Sequence, residues 1–357
     1  MKVVELPLHY GKIPPWLMSR MIKLAREISE IIILEFGTKK FLKFLSDPIW
    51  FQSFSCVLGF DWHSSGSTTA TLYALKQALK GIDEIQVFGG KGKHSLKTLE
   101  EIDKSKLREK GKFKKISRLC AKVDNALLQD GYSLYIHSLI VDEKGNWVVV
   151  QQGMNPVNQY ARRYHWSIFD LKDWFEEPHS NIIGSKREEW VIDLTSRKSR
   201  ETRKTIYDLA TEDPRKIERE FRTLKMILKG QKRLFEKDTY LIFPKNHRIK
   251  IPKKIFQVLS KINKHSPKDF EELFMIKGFG SSIIRALALI SHLIYGTELS
   301  FEDPLLFSFA HGGKDGFPFF VKKRVYDKSI QVLEDILQDL KLGKKEKIRI
   351  LERLKEI

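Results

Sequence analysis

Polar side chains in the first half of the sequence have the chemistry to hold a divalent cation or move a proton: Asp61, His63, Asp130, His137, Asp142 and Gln152. A centre that cuts phosphodiesters needs carboxylates, often with His, to hold Mg²⁺ or Mn²⁺, a positioned water and a cation for the developing charge. On that logic Asp61, His63, His137 and Asp142 are the expected metal ligands. Asp61, His63, His137, Gln152 and Lys91 form the expected catalytic set, with Lys91, Lys93 and Arg163 neutralising phosphate. Asp61, His63 and His137 rank ahead of Asp142, which lies beside a turn. No complete nuclease signature accompanies them: there is neither HExxH nor an ordered PD-(D/E)xK arrangement.

These residues need elements to position them. The polar run DWHSSGSTT at 61–69 lies between an apolar, aromatic core segment, PIWFQSFSCVLGF, and a helix expected over Thr69–Lys80. Ser67 or Thr68 would cap that helix. The run is either a site loop or a capped loop with one buried His. Ile85–Phe88 reads as a short buried strand running into Gly89-Gly90-Lys91-Gly92-Lys93-His94. A glycine-rich, lysine-bearing loop after a strand can cradle phosphate, although the P-loop spacing is missing. It would serve a nucleotide or a DNA backbone, or be a flexible basic loop. Tyr132–Asp142 and Trp147–Gln152 read as a β-hairpin around the four residues Glu143–Asn146. Pairing Asp142 with Trp147 sets His137 opposite Gln152 and Ser138 opposite Gln151. Tyr135, His137, Leu139 and Val141 would then share one face, with His137 either a satisfied core histidine or part of a site with Gln151 and Gln152. Arg162 and Arg163 lie between aromatics in YARRYHW, which suits phosphate contact with base stacking or a solvated basic turn.

A second kind of chemistry comes from Asp269–Ile290, which reads as helix, tight turn, helix. Phe270, Leu273 and Phe274 give one face; Ile283, Ile284, Leu287 and Ile290 resume the period after the turn. Gly278 and Gly280 permit a sharp turn, and the first N–H groups of the second helix, from Ser281, form an anion site. Ile276, Lys277, Gly278, Phe279 and Gly280 resemble the core of the helix-hairpin-helix motif, which implies contact with a DNA phosphate without sequence reading. An ordinary helical hairpin is the plainer alternative.

Six stretches together resemble a family catalogued only as domain of unknown function seven-six-three, of archaea and thermophilic bacteria. They are LPLHYGKIPPWL, LGFDWHSSGSTT, VFGGKGK, LQDGYSLYIHSLIVDEKGNWVVVQQGMN, ARRYHW and FAHGGKDGFPF. The resemblance spans nearly the whole chain and implies no particular chemistry. The loop FSFAHGGKDGFPFF at 307–320 either reaches into a site or packs on itself.

The chain has 357 residues, with 64 Lys+Arg against 45 Asp+Glu and a formal charge of +19. That excess favours polyanionic partners. No apolar run is long enough to span a bilayer and no secretory signal stands out, so a cytoplasmic setting without a membrane partner is expected. Two cysteines, Cys56 and Cys120, are too few for a disulfide framework or a cysteine zinc site. The expected class is α+β: a mixed α/β domain over 1–205 carrying the antiparallel hairpin, then a mostly helical domain over 206–357 carrying the 269–290 motif. The function expected is DNA binding through the phosphate backbone, with metal-dependent nuclease activity in repair or recombination. The alternatives are a DNA-binding protein without catalysis, and a nucleotide-binding enzyme using residues 89–93.

Overall fold

The computed structural model describes residues 13–59, 65–185, 187–228 and 255–305. Asp61, His63 and the 307–320 loop lie outside the described residues.

The architecture is α+β. Its centre is a five-stranded antiparallel sheet in the order β1-β3-β4-β5-β6, made of Ile85–Lys91, Ser133–Asp142, Trp147–Asn155, Tyr160–Ser167 and Asn181–Gly184. Two short strands, β2 (Leu128–Gln129) and β7 (Ile192–Asp193), pair separately. Helices α1 (Pro15–Ser46), α2 (Pro48–Val57) and α3 (Gly66–Ala78) cover one sheet face. Pro15 opens α1, and Gly37, at φ +79°, breaks it, as proline-first and glycine-after punctuation predicts. Asp47 caps α2 by accepting from Ile49 N and Trp50 N.

After β1 come α4 (Lys93–Leu96), α5 (Thr98–Lys104) and α6 (Lys110–Ala126). Helix α6 lies on the second sheet face, where Leu139, Val141, Val149 and Trp166 meet Leu119, Cys120 and Val123. The same apolar cluster continues into α7 (Arg200–Thr211), α8 (Pro214–Leu228), α9 (Ile255–His265), α10 (Phe270–Met275) and α11 (Ser281–Leu293). Ile136, Ile140, Val148 and Val150 face the α1–α3 side. Because both faces of β3 and β4 are covered, runs such as WVVV are continuous rather than alternating.

The structure corrects several expectations. Val141, not Asp142, pairs with Trp147, so His137 stands opposite Gln151 and Ile136 opposite Gln152. The cause is in the turn: Asp142 N bonds Asn146 O (3.0 Å), which leaves a three-residue loop with Gly145 at φ +81°. A bulge between Leu134 and Ile136 removes Tyr135 from the His137 face. The YARRYHW segment is strand β5. Helix α3 begins at Gly66, so Ser67 and Thr68 lie inside its first turn instead of capping it. The boundary at 205/206 falls within α7, whose buried face joins the core shared by both halves.

Candidate functional site

The turn at 276–280 is built by residues of opposite demand. Asp269 caps α10 by accepting from Glu272 N (2.8 Å). Gly278 turns the chain at φ +100°, and a Cβ there would come within 3.1 Å of Val258. Phe279 is fully buried and anchors the turn to the core, while Lys277 and Gly278 are exposed. Phe279 is thus an anchor and not a surface contact. Gly280 then precedes α11, accepting from Ile283 N and Ile284 N at 3.0 Å each. Ala286, also fully buried, allows close packing of α11.

Side chains from the sheet half hold this turn in place. Lys122 of α6 donates to the carbonyls of Phe274 and Ile276, the latter at 3.2 Å, at the open end of α10. Burial lowers its ammonium pKa to about 8. Gln129 donates to Ser281 O (3.1 Å) and accepts from Arg285 Nε (2.5 Å). Lys115 pairs with Glu271.

Two polar clusters lie back to back through the sheet. On the α6 face, Ser117 Oγ is 2.8 Å from His137 Nε2, and His137 Nδ1 is 2.7 Å from Gln151 Oε1. Gln151 Nε2 donates to Asp124 Oδ2, which also accepts from Trp166 Nε1 (3.1 Å); Asp124 Oδ1 meets His179 Nε2 at 2.5 Å. Because Gln151 spends its amide N–H on Asp124, its oxygen must accept, so Nδ1 carries the His137 proton and Nε2 accepts from Ser117. Burial pushes the His137 pKa down, which keeps the ring neutral. Both ring nitrogens are committed, so His137 is the satisfied core histidine of the two alternatives. Ser117, Asp124 and His179 were not anticipated. The signal for the first two was positional: both interrupt the apolar stripe of α6 formed by Ile116, Cys120 and Val123 and continued by Leu127 at its end.

On the α1–α3 face, Arg163 is fully buried. It donates from Nε to Thr68 Oγ1 (2.8 Å) and from NH2 to Gln52 Oε1 (3.0 Å) and Ser67 Oγ (3.3 Å). Gln152 accepts from Thr68 and donates to Tyr135 and to Ser65 O, the last at 3.0 Å. Burial lowers the Arg163 pKa to about 9. Three polar stretches singled out in the sequence, SSGSTT, QQG and RRYHW, therefore do converge, through Thr68, Gln152 and Arg163.

Other expected site residues are placed elsewhere. Arg162, also fully buried, bridges Asp130 (3.0 Å) and Asp303 (2.7 Å). Neither Arg162 nor Arg163 lies on a surface that DNA can reach. Burial raises the Asp130 pKa to about 6 against the pull of Arg162. Asp142 closes its turn by accepting from Lys144 N (3.0 Å) and Asn146 N (2.8 Å), and it also accepts from Thr38 Oγ1. It lies five residues from His137 on one strand, roughly 16 Å at about 3.3 Å per residue, too far to share a metal. Among the described residues no three His, Cys, Asp or Glu side chains are grouped to hold a metal ion. Gly89 and Gly90 belong to β1 and not to a loop. A Cβ on Gly89 would come within 2.2 Å of His137 O, and its N–H is already given to Glu101 (2.7 Å). Close packing explains these glycines; Lys91 and Lys93 remain exposed beyond them.

A surface cleft of about 1030 Å³ is lined by residues of both halves, including Glu176, Arg197, Arg200 and Phe270. Arg197, Arg200 and Arg203 converge on Glu176. Hydrogen bonding from Arg200 is the main reason that the Glu176 pKa falls to about 2.

No helix among the described residues is long and apolar enough to cross a membrane. No curated protein and no solved structure matches the chain significantly. Residues 2–321 match the family described as "Protein of unknown function (DUF763)". That match covers most of the chain, and the protein belongs to this family.

Proposed function

We propose that the protein binds DNA through the phosphate backbone, using the 276–280 turn as a helix-hairpin-helix. The observation that carries this reading is the split role of the turn. Phe279 is buried in the core while Lys277, Gly278 and the start of α11 face solvent. A helix N-terminus beside an exposed lysine attracts an anion. A turn braced by Lys122 and Gln129 holds that geometry before the ligand arrives, which lowers the cost of binding. The charge of +19 supplies the long-range attraction.

The test is binding of labelled single-stranded, double-stranded and branched DNA to the wild type and Gly278→Val. Valine at φ +100° strains the turn, so affinity should drop by about tenfold or more with the fold largely kept. Equal affinity of a folded variant would refute the reading.

A second reading, metal-assisted DNA cleavage in repair or recombination, is favoured by one observation. Thr68, Gln152 and Arg163 gather beside Ser65, immediately after the segment that carries Asp61 and His63. The described residues do not themselves fit Mg²⁺ or Mn²⁺, so this reading places the ligands around Asp61 and His63. Cleavage that requires the metal and vanishes in Asp61→Ala supports it; binding without cleavage under either metal removes it.

A further inference from the structure

The outer side of α6 continues the surface of the 276–280 turn. Lys115, Arg118 and Lys122 recur every three to four residues and form one stripe along the helix, away from the buried Ile116, Cys120 and Val123. Both ends of the stripe are tied to α10. Lys115 pairs with Glu271 near the start of α10, and Lys122 donates to the carbonyls of Phe274 and Ile276 at its end. Arg118 is one helical turn from each of these ties, so it is held beside α10. On the other side of the turn α9 comes close: a Cβ on Gly278 would lie 3.1 Å from Val258, and Lys261, one turn further along α9, is exposed.

The charge of this surface is unanswered. Elsewhere several exposed cations have acidic partners, as Lys106 has Asp83, Lys198 has Glu302 and Arg200 has Glu176. Among the described residues the side chains of Arg118, Lys261 and Lys277 have no ion-pair or hydrogen-bond partner. The sequence explains why. The only acid of α6 is Asp124, buried against the sheet, and α9 and α11 contain none. Three unanswered cations on three elements around one turn suit a polyanion.

What the surface lacks selects the form of that polyanion. Proteins that take single strands stack the bases on aromatic rings. Among the described residues, none of the exposed large apolar side chains belongs to α6, α9, α10 or the turn, and Phe256 and Phe270 pack against the core. Cations without exposed rings suit a duplex, whose bases are already stacked and whose phosphates face outward. From Lys115 to Lys122 the stripe runs roughly 10 Å at about 1.5 Å per residue, the length of about three base pairs.

We propose that the outer face of α6 is a second backbone contact, centred on Arg118, and that the DNA it takes is double-stranded. This rests on the reading of the 276–280 turn as a DNA site and adds to it the substrate class and the direction in which the duplex extends.

Anisotropy titrations of the full chain with a labelled duplex and with its single strand, across a salt series, test this. Wild type, Arg118→Gln, Lys261→Gln, Gly278→Val and Lys106→Gln are compared, the last losing the same charge away from this face. The wild type should bind duplex about tenfold or more tighter than single strand. Arg118→Gln should weaken duplex binding about three- to tenfold with a salt slope smaller by about one, Lys261→Gln should act in the same direction, and Lys106→Gln should match the wild type. Duplex affinity and slope unchanged in Arg118→Gln, with binding weakened in Gly278→Val, would overturn the α6 contact and leave the turn reading standing. An equal loss in Lys106→Gln would reduce the effect to net charge and also overturn it. Single strand bound as tightly as duplex would overturn the substrate class, and no DNA bound by the wild type would overturn the turn reading together with this one.

Discussion

Individual side chains in this protein divide between those that complete the interior and those that face solvent. Arg162 illustrates the first kind. It is fully buried between Asp130 and Asp303, and Tyr164 also donates to Asp130 (2.7 Å). Removing one member strands a buried charge, so Arg162→Met should cost about 3–5 kcal/mol in denaturant unfolding. A loss under about 1 kcal/mol would show that the triad is dispensable. Glu176 gives a pH signature. Its pKa is about 2 in the fold against 4.5 as the ordinary value. A depressed carboxylate contributes stability fully above 4.5 and loses it as pH falls through about 2. Stability should therefore decline across that window, and Glu176→Gln should flatten this part of the profile; an unaltered acid limb in the variant would contradict it. Residue types drew attention to His137, Gln152 and Arg163 but said nothing of the hydrogen-bond partners that hold them. The sequence cannot display that His137 is flanked by Ser117 and Gln151 on two other elements, nor that two adjacent arginines in a strand point to opposite faces.

At the level of elements, the hairpin register turned on one residue. Asp142 was expected to pair with Trp147, yet its backbone bonds Asn146, and the whole pairing slips by one. A slip of one exchanges the faces of every side chain, which is why Gln151 and not Gln152 meets His137. The β1 glycines were legible as special but for a different cause. Gly89 has no room for a Cβ because His137 O lies against it. Gly89→Ala should lower stability by more than about 1 kcal/mol while Gly92→Ala, with nothing within 4 Å, costs less; equal costs in thermal unfolding would refute the packing explanation. The 269–290 helices and their turn were read nearly residue for residue, since a glycine turn between two apolar stripes is a local pattern. Strand β5 was missed because its polar arginines mask burial on both faces.

Over the whole molecule, the mixed α+β class emerged from the sequence, while the expected division at 205/206 falls inside helix α7. One apolar core runs from Leu139 and Trp166 of the sheet through α6 to Phe274 and Phe279 of the turn. Sequence-distant packing of this kind leaves no local composition change to read. It has a functional consequence: the turn is braced by Lys122 and Gln129 from the sheet half, so the proposed DNA contact and the sheet belong to one packed body. The measurement that tests the central claim most directly is the salt dependence of DNA affinity for the wild type and Lys277→Ala. Backbone binding predicts that log K falls linearly with log salt, and that the variant binds more weakly to every sequence with a slope smaller by about one. A flat salt response in the wild type, or the same slope and affinity in the variant, would contradict the account.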